Sequence, residues 1–399
     1  MINLRNLVSI ALRHICYRVF SLVPKEDGLV LCTAWFGQKY VDNTKYVYEY
    51  LLNNSNYKVV WVTKSDKIYS QLKREGKPVV KYYSLIGCWK QIRAQAVFST
   101  VQIAEYNSFF LTNVVHIDLG HGHPIKDPGL ARWSKHSLAV QNLYLKHNHF
   151  YTVDASDFAK EKATDTIPGL PPDHILISDF ARNDVFVDST LSFGKNEIIT
   201  KYKGGRKAIV YMPTHRSDGK FVMSMREILP LDKIQQLCEQ FNYVFIIKKH
   251  FYHRNEKEDL SSYSFIYDVT QIEDLDPQVL LTQSDILISD YSACYIDYLL
   301  LSRPLMFYQY DVADYQKNER SLYIPFTSLE IAPIAYNKND FYKKLKILVS
   351  SDVDLYEKDR NEFAKTYFNN LHQTNGREKI KQILDRLIRQ YYPETNSIR

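Results

Sequence analysis

Cysteine is scarce and unpatterned in this 399-residue chain. The five residues, Cys16, Cys32, Cys88, Cys238 and Cys294, are odd in number, scattered, and form no C-x-x-C. A reducing compartment is the economical reading. Zinc-finger spacing and RNP-like runs are also missing, so nothing in the chain demands nucleic acid. No apolar run is long enough to cross a bilayer. The N-terminal stretch INLRNLVSIALRHICYRVFSLV, residues 2–23, is interrupted by Arg5, Arg13 and Arg18, which excludes a spanning helix. It carries no small-residue cleavage site, which argues against a signal peptide. Internal repeats and low-complexity segments are absent as well.

What is present is an ordinary globular composition, 45% apolar and 24% charged, at a length that suits two or three domains. The net charge of +6 is spread along the chain. It suits an anionic partner such as phosphates or lipid headgroups. The N-terminal stretch reads as an amphipathic helix. Leu4, Val8, Ala11, Leu12, Ile15, Val19 and Leu22 recur at helical spacing, with Asn3, Asn6, Ser9, Arg13 and Tyr17 opposite. Such a helix either lies in a membrane interface or packs on its own domain. The basic residues and the lack of any acid before Glu26 favour an anionic membrane surface.

From residue 28 strand and helix signals alternate: GLVLCTAW, then NTKYVYEYLLNN; YKVVWVT, then KIYSQLKREG; PVVKYYS, then SLIGCWKQIRAQ; then AVFST and NVVHIDL. A less regular middle follows. The rhythm resumes with HILIS, AIVYMP, YVFIIKK, FIYDV, DILISD and PLMFYQY, separated by helical segments. This is the pattern of parallel sheets covered by helices. The expected architecture is α/β, with two doubly wound domains facing a cleft. The expected divisions are an interfacial helix over 1–24, an α/β domain over 25–190, a second over 191–365, and a helical tail over 366–399.

The chemically capable residues gather where strands end, and doubly wound sheets bind ligands beyond the carboxyl ends of their strands. GHGHPIKDPG (120–129) follows NVVHIDL. Glycines on both sides of His121 allow close backbone approach, Pro124 stiffens the loop, and an imidazole held this way suits general-base work near neutral pH. Lys126 is suited to a phosphate. His116, Asp118, His121 and His123 cluster, but no carboxylate–histidine pair has obvious ligand spacing, so no metal is assigned. YMPTHRSDG (211–219) offers Thr214, His215 and Arg216, whose planar donors suit a diphosphate. IIKKHFYHR (246–254) offers His250 as phosphate ligand or acid. In SDILISDYSACYIDY (284–298) a buried strand ends in Asp290, Tyr291 and Ser292 before a helix. Those residues read as helix caps, as an anion site, or as both. Asp297, further along that helix, is placed to accept from a ribose or polyol hydroxyl. The loop with Asp311, Asp314 and Arg320 is either solvated surface or a cover over a nucleotide.

In this order the segments resemble the CDP-glycerol:poly(glycerophosphate) glycerophosphotransferase family of teichoic-acid and capsule enzymes. GHGHPIK is similar to its W-H-G-T-P-x-K, and MPTHR to its A-P-T-W-R. SDILISDYSACYID, RPLMFYQYD and RSLY follow its long S-D-x-L-I-[ST]-D-Y-S-S run and what comes after. VDNTK and FARND resemble its D-N-P-K and P-R-N-D. The resemblance implies a GT-B-like fold, peripheral attachment to the cytoplasmic membrane face, and transfer of a polyol phosphate from a CDP-activated donor to a hydroxyl of a lipid-linked or polymeric acceptor, with release of CMP. It implies His121 as general base, with Gly122, His123 and Lys126 on the acceptor side. His250, Thr214, Arg216, Asp290, Tyr291, Ser292, Asp297 and Arg320 would handle the donor. No bound cofactor is implied, and the need for a divalent cation is open. Gly120, His123, His215, Ala293 and Ser321 depart from the family pattern, so the polyol and acceptor stay open. Two rivals remain: a sugar-nucleotide glycosyltransferase of the same two-domain type, and a non-catalytic module that binds an anionic polymer.

Overall fold

The computed structural model describes residues 4–393, apart from 128–133, 189–190, 192–196, 217–223, 251–252, 254–257, 273–274, 319–320, 326–328 and 372–374. Its contacts divide the chain into two compact units. One comprises Met1–His123, Pro128–Asp184 and Gln373–Arg399; the other comprises Pro124–Asp127 and Val185–His372.

The first unit is built on β1 (Leu29–Cys32), β2 (Lys58–Thr63), β3 (Val79–Lys81), β4 (Ala96–Ser99), β5 (Val115–Asp118), β6 (His149–Asp154) and β7 (Ile175–Ile177). All seven are parallel, in the order β3-β2-β1-β4-β5-β6-β7. The second contains β8 (Lys207–Met212), β9 (Tyr243–Ile247), β10 (Ile266–Asp268), β11 (Ile286–Ser289), β12 (Leu305–Tyr308) and β13 (Ile334–Ala335). These are also parallel, in the order β10-β9-β8-β11-β12-β13. Strands such as LVLC, AVFS and ILIS are buried at every position, because helices cover both faces of a parallel sheet. Each sheet reverses its winding once, between β1 and β4 and between β8 and β11. That switch is where doubly wound sheets open a crevice at their carboxyl edge.

The middle that reads as irregular is regular. It holds a helix (Lys135–His147), β6 and a second helix (Asp157–Thr166). HFYTVD is a buried strand, but its flanking helices have weak apolar periodicity, which hid the repeat. The C-terminal helix Gly376–Tyr391, expected within a separate tail, packs on the first unit. A Cβ at Gly376 would lie 2.6 Å from the Asp179 carbonyl oxygen, so only glycine allows that approach. Asp184 accepts from the Gly376 N–H at 2.7 Å and the Arg377 N–H at 3.0 Å, satisfying free donors of the first turn.

The N-terminal helix Leu4–Phe20 docks through its polar side. Tyr17 is fully buried, 4.8 Å from the His147 ring. The Arg13 guanidinium lies 3.9 Å over Phe109 and donates to Ser108. The apolar stripe points outward, from Leu4 (77% exposed) through Leu12 and Ile15 to Leu22 (84%). The helix packs on its own unit through its polar side, and its apolar face is left open. Among the described residues no helix is long and apolar enough to cross a membrane.

Candidate active site

In the first unit, β5 delivers the chain into Leu119-Gly120-His121. Gly120 has φ 61° and Gly122 φ 153°, values that favour glycine. His121 is exposed, and its Nδ1 lies 2.9 Å from the carbonyl oxygen of Thr100 at the end of β4. A carbonyl only accepts, so Nδ1 carries the proton and Nε2 of the neutral ring keeps its lone pair. The ring faces Trp35 at 5.2 Å between centroids.

The surroundings fix that loop. Asn43 Nδ2 donates to the carbonyls of Leu119 (2.9 Å) and Gly120 (3.2 Å), and its Oδ1 accepts from the Arg182 N–H at 3.1 Å. Asp42 receives Arg182 Nη1 at 2.8 Å and the Trp35 indole N–H at 3.2 Å. Glu105 is buried beneath and accepts from the Thr100 N–H, the Thr100 hydroxyl and the Phe36 N–H. Burial outweighs those donors and pushes its carboxyl up to about 7. VDNTK and FARND thus meet here, a convergence that the family resemblance alone did not reveal. Trp35, Thr100 and Glu105 carried no sequence signal beyond lying at or near strand ends.

His116 and Asp118 are both buried. Both face Ser99, whose hydroxyl lies 2.8 Å from His116 Nε2 and 2.7 Å from Asp118. Burial lowers His116 to about 3 and raises Asp118 to about 6. His123, expected on the acceptor side, is buried with its ring 4.8 Å from Phe180. Gly122 is half-buried. Among the described residues no group of three or more His, Cys, Asp or Glu is arranged to hold a metal ion.

In the second unit the ends of β8, β11 and β12 are tied by one cation. Arg216 donates to Asp311 through Nε (2.7 Å) and Nη2 (3.1 Å), lies 3.0 Å from Asp290, and donates to the Thr214 carbonyl at 2.7 Å. Asp290 is fully buried and also accepts from the Thr214 N–H, the Thr214 hydroxyl and the Tyr291 N–H. The expectation of Arg216 as a diphosphate ligand meets a guanidinium already engaged by two carboxylates, which hold it firmly protonated. Asp290 and Thr214 likewise join strand ends rather than presenting free groups. Tyr291 stacks on Tyr315 at 3.5 Å. The following helix, Cys294–Leu299, is capped by Ala293 without a side-chain bond, so neither Asp290 nor Ser292 is its cap residue. Ser292 is half-buried, with a long contact of 3.4 Å from the Cys294 N–H. Asp297 is buried and accepts from Gln278 Nε2 at 3.1 Å.

His250, at the end of β9, is half-buried, 5.6 Å from the His215 ring. His215 Nδ1 in turn lies 3.2 Å from His253 Nε2. Neighbouring Lys248 is lowered to about 8 by burial. Arg320 lies outside the described residues. The segment Pro124–Asp127 belongs to this unit and pairs antiparallel with Ser321–Tyr323. Asp127 N–H donates to the Ser321 carbonyl at 2.9 Å, and Tyr323 N–H to the Ile125 carbonyl at 3.0 Å. Lys126 Nζ then lies 5.4 Å over the Tyr315 ring.

Two doubly wound parallel sheets with polar groups at their strand ends make a GT-B-like α/β fold. The chain belongs to the CDP-glycerol:poly(glycerophosphate) glycerophosphotransferase family, whose model matches residues 15–385. It is 25% identical over 371 residues to the teichoic acid glycerol-phosphate transferase of Staphylococcus aureus, covering 86% of this chain and 90% of that one. It is also 25% identical to a teichoic acid poly(glycerol phosphate) polymerase of Bacillus spizizenii, covering 80% and 83%. The fold matches the wall teichoic acid polymerase TagF, in a form soaked with CDPG, with a TM-score of 0.74 at 22% identity over 98% of this chain and 97% of that one. The chain is accordingly a polyol-phosphate transferase of cell-surface polymer synthesis.

Proposed function

We propose that His121 is the general base in transfer of glycerol or ribitol phosphate from a CDP-activated donor to the terminal hydroxyl of a lipid-linked or polymeric acceptor. The observation that carries this is the Nδ1–H bond to the Thr100 carbonyl, which leaves Nε2 as the ring's proton acceptor. The acceptor oxygen attacks the β-phosphorus, its proton passes to Nε2, the bond from that phosphorus to the bridging oxygen breaks, and CMP leaves. His250 and the Ser292 hydroxyl contact the donor diphosphate. Thr214, Arg216, Asp290 and Tyr291 hold the strand ends that shape this donor side, and positioning with electrostatics supplies most of the rate. Lys126, held over Tyr315, neutralises a phosphate.

The enzyme works bound peripherally to the anionic cytoplasmic face of the membrane. Supporting this are the outward apolar stripe of the N-terminal helix and its lack of acidic residues. A second apolar group, Leu85 (90% exposed), Ile86 and Trp89, belongs to helix Leu85–Arg93, whose last residues are tied to Lys25 and Glu26 just after the first helix. The test is a panel of donors assayed for nucleotide release with a lipid-linked acceptor. CMP from CDP-glycerol or CDP-ribitol is expected. UDP or GDP from a sugar donor, with no turnover of either CDP-polyol, overturns the reading.

A further inference from the structure

We infer that the carboxyl edge of the first sheet, from β5 back to β3, forms a track for the phosphodiester groups of the acceptor behind its reacting hydroxyl; this rests on the polyol-transfer reading above. Consecutive strand ends carry a row of cations and aromatic rings. β3 runs into Tyr82 and exposed Tyr83, and β2 into Lys64. Lys64 Nζ lies 4.2 Å from the Tyr82 ring centroid and 5.8 Å from that of Tyr83. Among the described residues no carboxylate forms an ion pair with it; burial lowers its pKa against the opposing pull of Glu105, so the ammonium is partly stripped of water. A cation held on rings without a directly paired acid is the arrangement that meets a phosphate at low desolvation cost.

β1 continues the row. Trp35 and Phe36 adopt left-handed backbone, φ 49° and 59°, which bulky residues rarely take and which persists only where the surroundings impose it. Here they do. The Phe36 N–H is held by Glu105 at 3.0 Å, the Trp35 N–H by the Thr100 hydroxyl at 3.2 Å, and the Gly37 carbonyl by the Lys64 N–H at 2.7 Å. The result exposes the Phe36 ring and sets Trp35 between Lys39, 5.3 Å away, and His121. From β2 to β5 is three strand spacings, roughly 14 Å at about 4.8 Å each. That span exceeds one polyol phosphate, so Lys64 meets a phosphate further back along the acceptor, while the rings cover its methylene and carbinol carbons.

The ligand chemistry has two sources: the phosphodiesters of a growing polymer, or the diphosphate of a lipid-linked primer. Steady-state kinetics of Lys64→Ala, Lys64→Arg and Phe36→Ala separate them. Three acceptors are compared: a polyol-phosphate oligomer without lipid, a lipid-diphosphate primer without polymer, and a soluble acceptor with a single polyol phosphate. For Lys64→Ala the expected result is about a tenfold rise in KM for the oligomer, the primer or both. KM for the single-unit acceptor and for the donor should stay within twofold. Lys64→Arg should restore wild-type values, and Phe36→Ala should give a smaller rise on the same acceptors. The acceptor affected names the source. Equal changes for all three acceptors, no change for any, or a rise in donor KM overturns the track. If the wild type releases no CMP with any acceptor, polyol transfer itself falls. Fluorescence anisotropy of labelled oligomer and primer on wild type and Lys64→Ala then decides the track alone: weaker binding of either supports it, equal binding of both overturns it.

Discussion

An imidazole accepts a proton only at the nitrogen that does not already carry one. For His121 that choice is made by the Thr100 carbonyl, and the loop is held in place by Asn43. Asn43→Ala should lower kcat by roughly tenfold to a hundredfold with little change in donor KM, because small misplacements of a catalytic group are costly. Unchanged kcat would remove Asn43 from the positioning scheme. Glu105 allows a test by pH. Its carboxyl is raised from 4.5 to about 7, so the folded state holds the proton more tightly than the unfolded state. Stability from that proton is present at low pH and is lost as pH rises from about 4.5 through 7, up to roughly 3 kcal/mol. Glu105→Gln stays neutral throughout. Its melting temperature should therefore approach that of wild type, or pass it, between pH 5 and pH 8; a constant gap contradicts the assignment. At this scale the sequence reading picks out His121 as a candidate from its glycines and strand-end place. It missed Trp35, Thr100 and Glu105, because partners brought in from other strands leave no local pattern.

Strands and helices were the more legible level. Buried runs such as AIVY and ILIS announce themselves, and the strand-end rule points to the loops after β5, β8, β9 and β11 as candidates, though not to those after β1 and β4. The segments that went unread were governed by packing. Lys135–His147 carries a mixed face, and Gly376–Tyr391 reads as a tail until Asp184 and the 179–181 backbone are seen against its first turn. Arg216 shows the same limit. A guanidinium after a strand suits a phosphate equally well on paper; only tertiary contact reveals Asp290 and Asp311 around it. Gly376→Ala drives a methyl group into backbone and should destabilise the protein by about 2–4 kcal/mol in chemical denaturation. A loss under about 0.5 kcal/mol would mean that the helix shifts freely and that its docking is loose.

The whole molecule combines a transferase fold with an apolar stripe turned away from its own core. Leu12 and Ile15 are exposed, so Leu12→Asp with Ile15→Asp should leave the melting temperature nearly unchanged while abolishing co-sedimentation with phosphatidylglycerol vesicles. Retained vesicle binding would assign membrane contact elsewhere. The central claim concerns the chemical step, and it is tested by His121→Ala in single turnover with CDP-glycerol or CDP-ribitol, whichever the wild type uses. Calorimetric titration of the same donor into the same variant accompanies it. The account predicts loss of CMP release by at least about a hundredfold, in the range that general bases contribute, with donor affinity within a few-fold of wild type. CMP release at the wild-type rate from a variant that still binds donor would contradict it.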